Sequence, residues 1–213
     1  MGRTGAGKSS LVAAFLRMPE PQGEVVIDDV ITSTLNIRAL RASVAVIPQR
    51  PFIFNDTLRR NLDPCEQHSD AEIWSVLEKV QLRSTLAPRG SLDEVLQLVI
   101  TEGGHNLSVG ERQLICLARA LLQNTKIILL DEATANIDYL TDRMIQDVIR
   151  KEMSECTVLT IAHRLDTVLE YDRIMVLEKG EIVEFDKPDI LLEKRDSFLS
   201  ELYFSFQAGK GKL

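Results

Sequence analysis

The sequence predicts an α/β fold: a mostly parallel sheet flanked by helices, with a helical subdomain inserted in it. Three observations predict it. A glycine-rich loop, residues 2–10, runs directly into an amphipathic segment. A continuous apolar run at 127–130, within a strand over 126–130, and a second buried strand at 157–162 suit a parallel sheet covered on both faces. Between the first strands and those segments, about residues 55–123 carry apolar side chains at helical spacing.

Each element follows from local pattern. Leu11, Val12, Phe15 and Leu16 recur as one face of a helix, with Arg17 in its last turn and Pro19 and Pro21 ending it. Residues 24–27 read as a short strand closed by an Asp28-Asp29 turn, and 43–47 as a second strand stopped by Pro48. Residues 57–62 form a short helix. Ser69 and Glu72 make a capping box for a helix through Val80, with Ile73, Val76, Leu77 and Val80 inward. Ser108 and Glu111 repeat that box ahead of Leu114, Leu117, Ala118, Leu121 and Leu122. The core resumes as strand 126–130, then helix 137–149 with Leu140, Met144, Ile145 and Val148 inward, then strand 157–162. Residues 173–185 read as a hairpin turning at Lys179-Gly180. Pro188 opens a single last helix carrying Ile190, Leu191, Phe198 and Leu202. The expected division is a core of about 1–54 and 124–205, a helical subdomain of about 55–123, and a tail, 206–213. No internal repeat is evident.

Composition narrows the function classes. With 213 residues, 45% hydrophobic and 27% charged, the chain sustains a packed core rather than disorder. A net charge of −7 argues against a nucleic-acid surface, which wants a basic face. Cys65, Cys116 and Cys156 are scattered and odd in number, so they form no metal or redox motif. No apolar run approaches the ~20 residues that span a bilayer. Any membrane role therefore comes through other segments or partners.

Chemistry is concentrated in the glycine loop. Gly2, Arg3, Thr4, Gly5, Ala6, Gly7, Lys8, Ser9 and Ser10 fit the pattern Gly, four residues, Gly-Lys-Ser, the phosphate-binding loop of P-loop nucleotidases. Glycines 2, 5 and 7 let the backbone curl with its N–H groups inward, and the following helix adds its positive end. Lys8 reaches outer phosphates, and the Ser9 hydroxyl suits Mg²⁺, a hard cation. The bland alternative is an ordinary glycine turn before a helix. Downstream, apolar residues 127–130 lead to Asp131-Glu132, a Walker B arrangement. Asp131 is placed to hold Mg²⁺ through water and Glu132 to polarise an attacking water. A plain acidic pair at a strand end is the alternative.

Leu107, Ser108, Val109, Gly110, Glu111, Arg112 and Gln113 then resemble the signature of ATP-binding-cassette (ABC) proteins, whose fold is a P-loop NTPase core with a helical subdomain. Ser108, the Gly110 backbone and the helix N-terminus offer donors to a γ-phosphate, which in this family belongs to the opposite subunit's site. A capped surface helix is the alternative, and both roles coexist. The resemblance extends to Gln49 as the Q-loop glutamine, which touches Mg²⁺ and faces the transmembrane partner. It extends to Asp138 in a D-loop that reads Ala-Asn-Ile-Asp rather than the commoner Ser-Ala-Leu-Asp, and to His163 as the switch histidine. Alone, these would read as a solvated loop glutamine, a helix N-cap and a structural histidine. His68 and His105 match nothing catalytic and are assigned to the surface. Phe52, Ile53 and Phe54 beside Gln49 suit either a surface docking a transmembrane coupling helix or burial in the helical subdomain.

Arg60-Asn61-Leu62-Asp63-Pro64 and the Ser-Val-Gly-Glu-Arg-Gln signature look like the second nucleotide-binding domain of subfamily C, the multidrug-resistance-associated exporters. Glu132 agrees, since the first domain of that group usually has Asp there. The likeness covers residues 2 to about 205. It implies ATP and Mg²⁺ as ligands, with Glu132, His163 and Gln49 catalytic and Ser9, Gln49 and Asp131 around the metal. It also implies transmembrane domains and a second, head-to-tail nucleotide-binding domain as partners, no nucleic acid, and a place on the cytosolic face of a membrane, the plasma membrane by preference. Only Met1 precedes Gly2, so the strand that normally positions such a loop and the family's adenine-stacking aromatic are expected in a longer protein of which this is a fragment. The fragment alone is then expected to bind ATP more weakly and to expose a slot in its sheet. The competing readings are a soluble ABC ATPase acting on nucleic acid or ribosomes, and a non-hydrolysing or defunct ABC fragment.

Overall fold

The computed structural model describes residues 1–3, 5–131, 137–162, 165–194 and 197–210, with side chains for all of these except 139, 165, 166 and 205–210. In chain order the elements begin with α1 (Lys8–Phe15), β1 (Val26–Ile27), β2 (Val30–Ile31), α2 (Ile37–Ala42), β3 (Val44–Ile47), β4 (Asp56–Thr57) and α3 (Leu58–Leu62). Then come α4 (Asp70–Lys79), α5 (Leu82–Leu86), α6 (Leu92–Leu96), β5 (Val99–Ile100), α7 (Val109–Gln123), β6 (Ile127–Asp131) and α8 (Tyr139–Glu152). The rest are β7 (Thr157–Ile161), α9 (Leu165–Val168), β8 (Ile174–Glu178), β9 (Glu181–Asp186), α10 (Pro188–Glu193) and α11 (Phe198–Lys210). They form two compact units, Met1–Leu35 with Ile161–Leu213, and Asn36–Thr160.

In the first unit, α1 ends at Phe15, two residues before the expected Arg17. Arg17 instead adopts a positive φ and its guanidinium donates to the Thr32 and Leu35 carbonyls and to the Glu20 carboxylate. Asp28 and Asp29, both at positive φ, join β1 to an antiparallel β2, the geometry a two-residue hairpin needs. Lys179 and Gly180 do the same for β8 and β9. Val176 on β8 is fully buried with Ile174, Val168, Leu191 and Leu199. The expected single terminal helix is two, α10 and α11, because the Glu184 carboxylate of β9 accepts from the Phe198 and Leu199 amides and starts a fresh helix there.

The second unit is built on a three-stranded sheet in the order β3-β6-β7. β3 and β6 are parallel, with Val44 opposite Ile127 and Ile47 opposite Leu130. One continuous apolar core joins that sheet to the helices of residues 58–123: Ala45, Ile47, Ile128 and Leu130 pack with Leu58, Ile73, Leu77, Leu86, Leu96 and Ile115. Capping boxes fix the starts of α4 at Ser69 and Glu72 and of α6 at Ser91 and Glu94. On α8, Ile145, Val148 and Ile149 are buried, but Leu140, expected inward, is 78% exposed. At 3.6 residues per turn it lies about 135° from the centre of the buried face.

Asp63, buried after α3, shows how local burial is offset. Desolvation pushes its carboxyl up, but N–H groups of His68 and Gln67 and the His68 ring more than reverse this, so it titrates below its ordinary 3.8. The His68 ring, expected on the surface, is half-buried, with Nδ1 3.4 Å from the Asp63 carboxylate. Because the folded value is the lower one, Asp63 contributes its stability above pH 3.8 and loses it as pH falls through the folded value. In urea unfolding between pH 7 and pH 3, the lead of the wild type over Asp63→Asn should shrink toward the acid end. Leu77→Ala should cost about 2–5 kcal/mol and Leu140→Ala no more than about 0.5 kcal/mol. An equal cost at the two positions would contradict the α8 orientation.

Candidate functional site

The glycine loop sits in the first unit and is shaped by backbone constraints. Gly2 has φ +148 and comes so close to β8 that a Cβ would lie 2.3 Å from the Leu177 carbonyl oxygen. Gly7, at φ 104, is the left-handed N-cap of α1, a conformation that favours glycine. The loop is tied to the β8–β9 hairpin at two points: the Leu177 amide donates to the Met1 carbonyl, and the Gly180 amide to the Ala6 carbonyl at 3.0 Å. Within the loop, Ala6 N–H donates to the Arg3 carbonyl. The buried Lys8 ammonium donates to the Gly2 carbonyl at 2.9 Å and the Arg3 carbonyl at 3.1 Å, so its charge sits in the loop's own curl. Ser9 and Ser10, on the first turn of α1, are exposed. Thr4 lies outside the described residues. Leu177 and Gly180 are functional supports that the sequence reading missed; Lys179-Gly180 signalled a turn, but nothing local tied that turn to residue 6.

In the second unit, β3 and β6 place two candidate residues at the same end of adjacent strands. Ile47 pairs with Leu130; Gln49 is exposed two residues beyond the end of β3, and the half-buried Asp131 closes β6. This carboxyl edge of a parallel sheet is where α/β folds put ligands. Glu132 directly follows, and His163 comes two residues after β7; both lie outside the described residues.

α7 presents the third group. Ser108, in extended conformation, is its N-cap: the hydroxyl accepts from the Glu111 amide at 3.1 Å, while Glu111 Oε2 accepts from the Ser108 amide at 2.7 Å. Glu111 is buried, and its other oxygen takes a 2.6 Å charge-assisted bond from Arg89, which also donates to the Asn106 carbonyl. Arg112 donates to the Gly104 and Leu107 carbonyls. A Cβ on Gly110 would stand 2.7 Å from the Thr141 methyl of α8, so close helix packing itself demands glycine. Val109 projects to solvent, Leu107 is buried, and Gln113 is buried against the Pro48 carbonyl. Asp138 caps α8 through a 3.0 Å bond from the Thr141 amide, which holds its carboxyl below the usual range. Chemically, α7 thus offers an exposed hydroxyl and a helix N-terminus to an anion, while the glycine loop offers a curled backbone and a lysine.

Comparison with known proteins follows the motifs. A family model for ABC transporters matches residues 1–135. The chain is 46% identical over 212 residues to "ATP-binding cassette sub-family C member 4" of Mus musculus, covering 100% of this chain and 16% of that protein. It is 51% identical over 203 residues to "Multidrug resistance protein mrp-7" of Caenorhabditis elegans, covering 95% of this chain and 13% of that protein. Among solved structures, a bacterial Atm1-family ABC exporter with ATP bound matches 96% of this chain and 35% of its own, at 32% identity and a TM-score of 0.86. The chain therefore spans a small part of the length of these relatives.

Gly2→Ala should weaken binding of a fluorescent nucleoside triphosphate at least tenfold, because the loop must leave Leu177. Gly5→Ala should do less: its φ of +80 strains an alanine, but nothing lies within 4 Å of a Cβ there. Equal affinities for wild type and Gly2→Ala, by fluorescence titration, would contradict the described approach.

Proposed function

The chain belongs to the ABC transporter family, and from that premise we propose that it is the ATP-hydrolysing domain of a subfamily-C exporter of organic anions or xenobiotics. Its resemblance to the second nucleotide-binding domain of that group comes from residues 60–64 and the form of the signature at residues 108–113, with Glu132 in agreement. The observation that carries the reading is the signature sequence standing as the capped N-terminus of α7 in a chain that also holds the phosphate loop. Alternatives that act on nucleic acid or do not hydrolyse ATP gain no support from the subfamily-C and multidrug-resistance relatives.

In this reading the backbone of residues 2–10 and Lys8 bind the β- and γ-phosphates, and α1 adds its positive end. Ser9, Gln49 and Asp131 are oxygen donors of the kind Mg²⁺ takes, and they would hold it. Bound with ATP, Mg²⁺ supplies neutralisation of the phosphate charge. Glu132 orients and deprotonates the attacking water, and His163 stabilises the γ-phosphate as it leaves. Residues 107–113 serve the site of a second nucleotide-binding domain in a head-to-tail pair, to which the Asp138 loop also contributes. Transmembrane domains are the remaining partners; no helix among the described residues is long and apolar enough to cross a membrane. The domain works on the cytosolic face, at the plasma membrane by preference. Its working division is a core of about 1–54 and 124–205 with a helical subdomain of about 55–123. Phe52, 67% exposed, and Phe54 support docking of a transmembrane partner there, while Ile53 is buried.

Glu132→Gln should slow phosphate release about 10²- to 10⁴-fold and leave ATP binding intact. Wild-type turnover in that variant would remove Glu132 as the base.

A further inference from the structure

Three side chains of α7 spaced three apart, Gln113, Cys116 and Arg119, fall on one side of the helix and face the segment that carries Gln49. Gln113 is 1% exposed and donates Nε2–H to the Pro48 carbonyl at 3.2 Å, the peptide directly before Gln49. The Phe52 amide faces the buried Cys116 thiol. Arg119 donates to the Phe52 carbonyl and to both the carbonyl and side-chain oxygens of Asn61, and its guanidinium lies 5.3 Å from the Phe54 ring centre. Asn61, wholly buried, closes the far end by accepting from the Phe54 amide at 2.9 Å and donating to the Phe54 carbonyl at 3.0 Å. Residues 48–54 are therefore fastened to α7 at both ends, while Gln49 and Arg50 between the fastenings stay exposed.

We propose that this polar stripe makes Gln113 a positioning residue for Gln49, so that the signature end of α7 and the Gln49 loop shift as one body. Burying an amide and a guanidinium is favourable only when their donors are satisfied; here the Pro48 and Phe52 carbonyls of the loop and the carbonyl and side-chain oxygens of Asn61 on α3 satisfy them. The splint is rigid because α7 is a continuous helix of 15 residues, buried over most of its length. Its consequence for ATP rests on the function proposed above: Gln49 serves one nucleotide site and residues 107–113 the other, so α7 links the metal environment of one site to the phosphate contacts of its neighbour.

The test uses Gln113→Met, which keeps side-chain volume and removes the donor. Hydrogen–deuterium exchange on the nucleotide-free chain should show the amides of residues 49, 50, 52 and 53 exchanging about three- to tenfold faster, the loss of one ordinary hydrogen bond, with those of residues 114–122 unchanged. Unchanged exchange at 49, 50, 52 and 53, or acceleration spread along the whole of α7, overturns the proposal whatever the ATPase does. The second reading is the Mg²⁺ concentration for half-maximal ATP turnover in wild type, Gln113→Met, Gln49→Ala and the double variant. Gln113→Met should raise it, and the double variant should match Gln49→Ala alone. Simple addition of the two effects overturns the link to Gln49. A wild type that never turns over ATP contradicts the proposed function instead, and the exchange measurement still decides the splint.

Discussion

The bond between Arg89 and Glu111 is the constraint on which the second unit most depends. A buried carboxylate is costly unless its oxygens are occupied. Glu111 meets that demand with the Ser108 amide on one oxygen and Arg89 on the other. Satisfied in this way, it can sit at the third position of α7 and return the Ser108 hydroxyl to its own amide. The start of α7 is then fixed to one residue. With it are fixed the exposure of Val109, the close approach of Gly110 to α8 and the side of the helix that faces residues 48–54. The rest of α7 is buried against the same core that covers β3 and β6, so an error at its cap would spread into the sheet.

Much of this was legible in the sequence because it is local. Glycine spacing in residues 2–8 reported a curled loop, and each glycine there has a positive φ. The continuous apolar run before Asp131 reported a strand with both faces covered, and β6 is one, paired in parallel with β3. Boxes at Ser69 and Ser108 announced α4 and α7. Ser91 with Glu94 carries the same signal before α6, a helix of only five residues.

What escaped was set by partners distant in sequence. Gly2 answers to Leu177, and the break between α10 and α11 answers to Glu184 on a neighbouring strand. Leu140 illustrates a different failure. Its spacing from Met144 and Val148 fits a helical face, but Val148 lies at the edge of the face that α8 buries with Ile145 and Ile149, and Leu140 falls beyond that edge, which only packing locates. The polar face of α7 was invisible for the same reason, since Gln113 and Arg119 look solvent-exposed until the loop they hold is in place.

The two halves of the chemistry thus come from different kinds of constraint. The phosphate loop is a backbone device, held by the β8–β9 hairpin, whereas the signature is a side-chain device, held by the buried Glu111 carboxylate and its ion pair with Arg89. The central claim is that a chain carrying both turns over ATP through the loop's lysine. Steady-state phosphate release at saturating Mg-ATP, wild type against Lys8→Ala, tests it most directly. The account predicts turnover in the wild type and its loss in Lys8→Ala. Equal release by the two proteins, or none by a wild type that binds ATP, would contradict it.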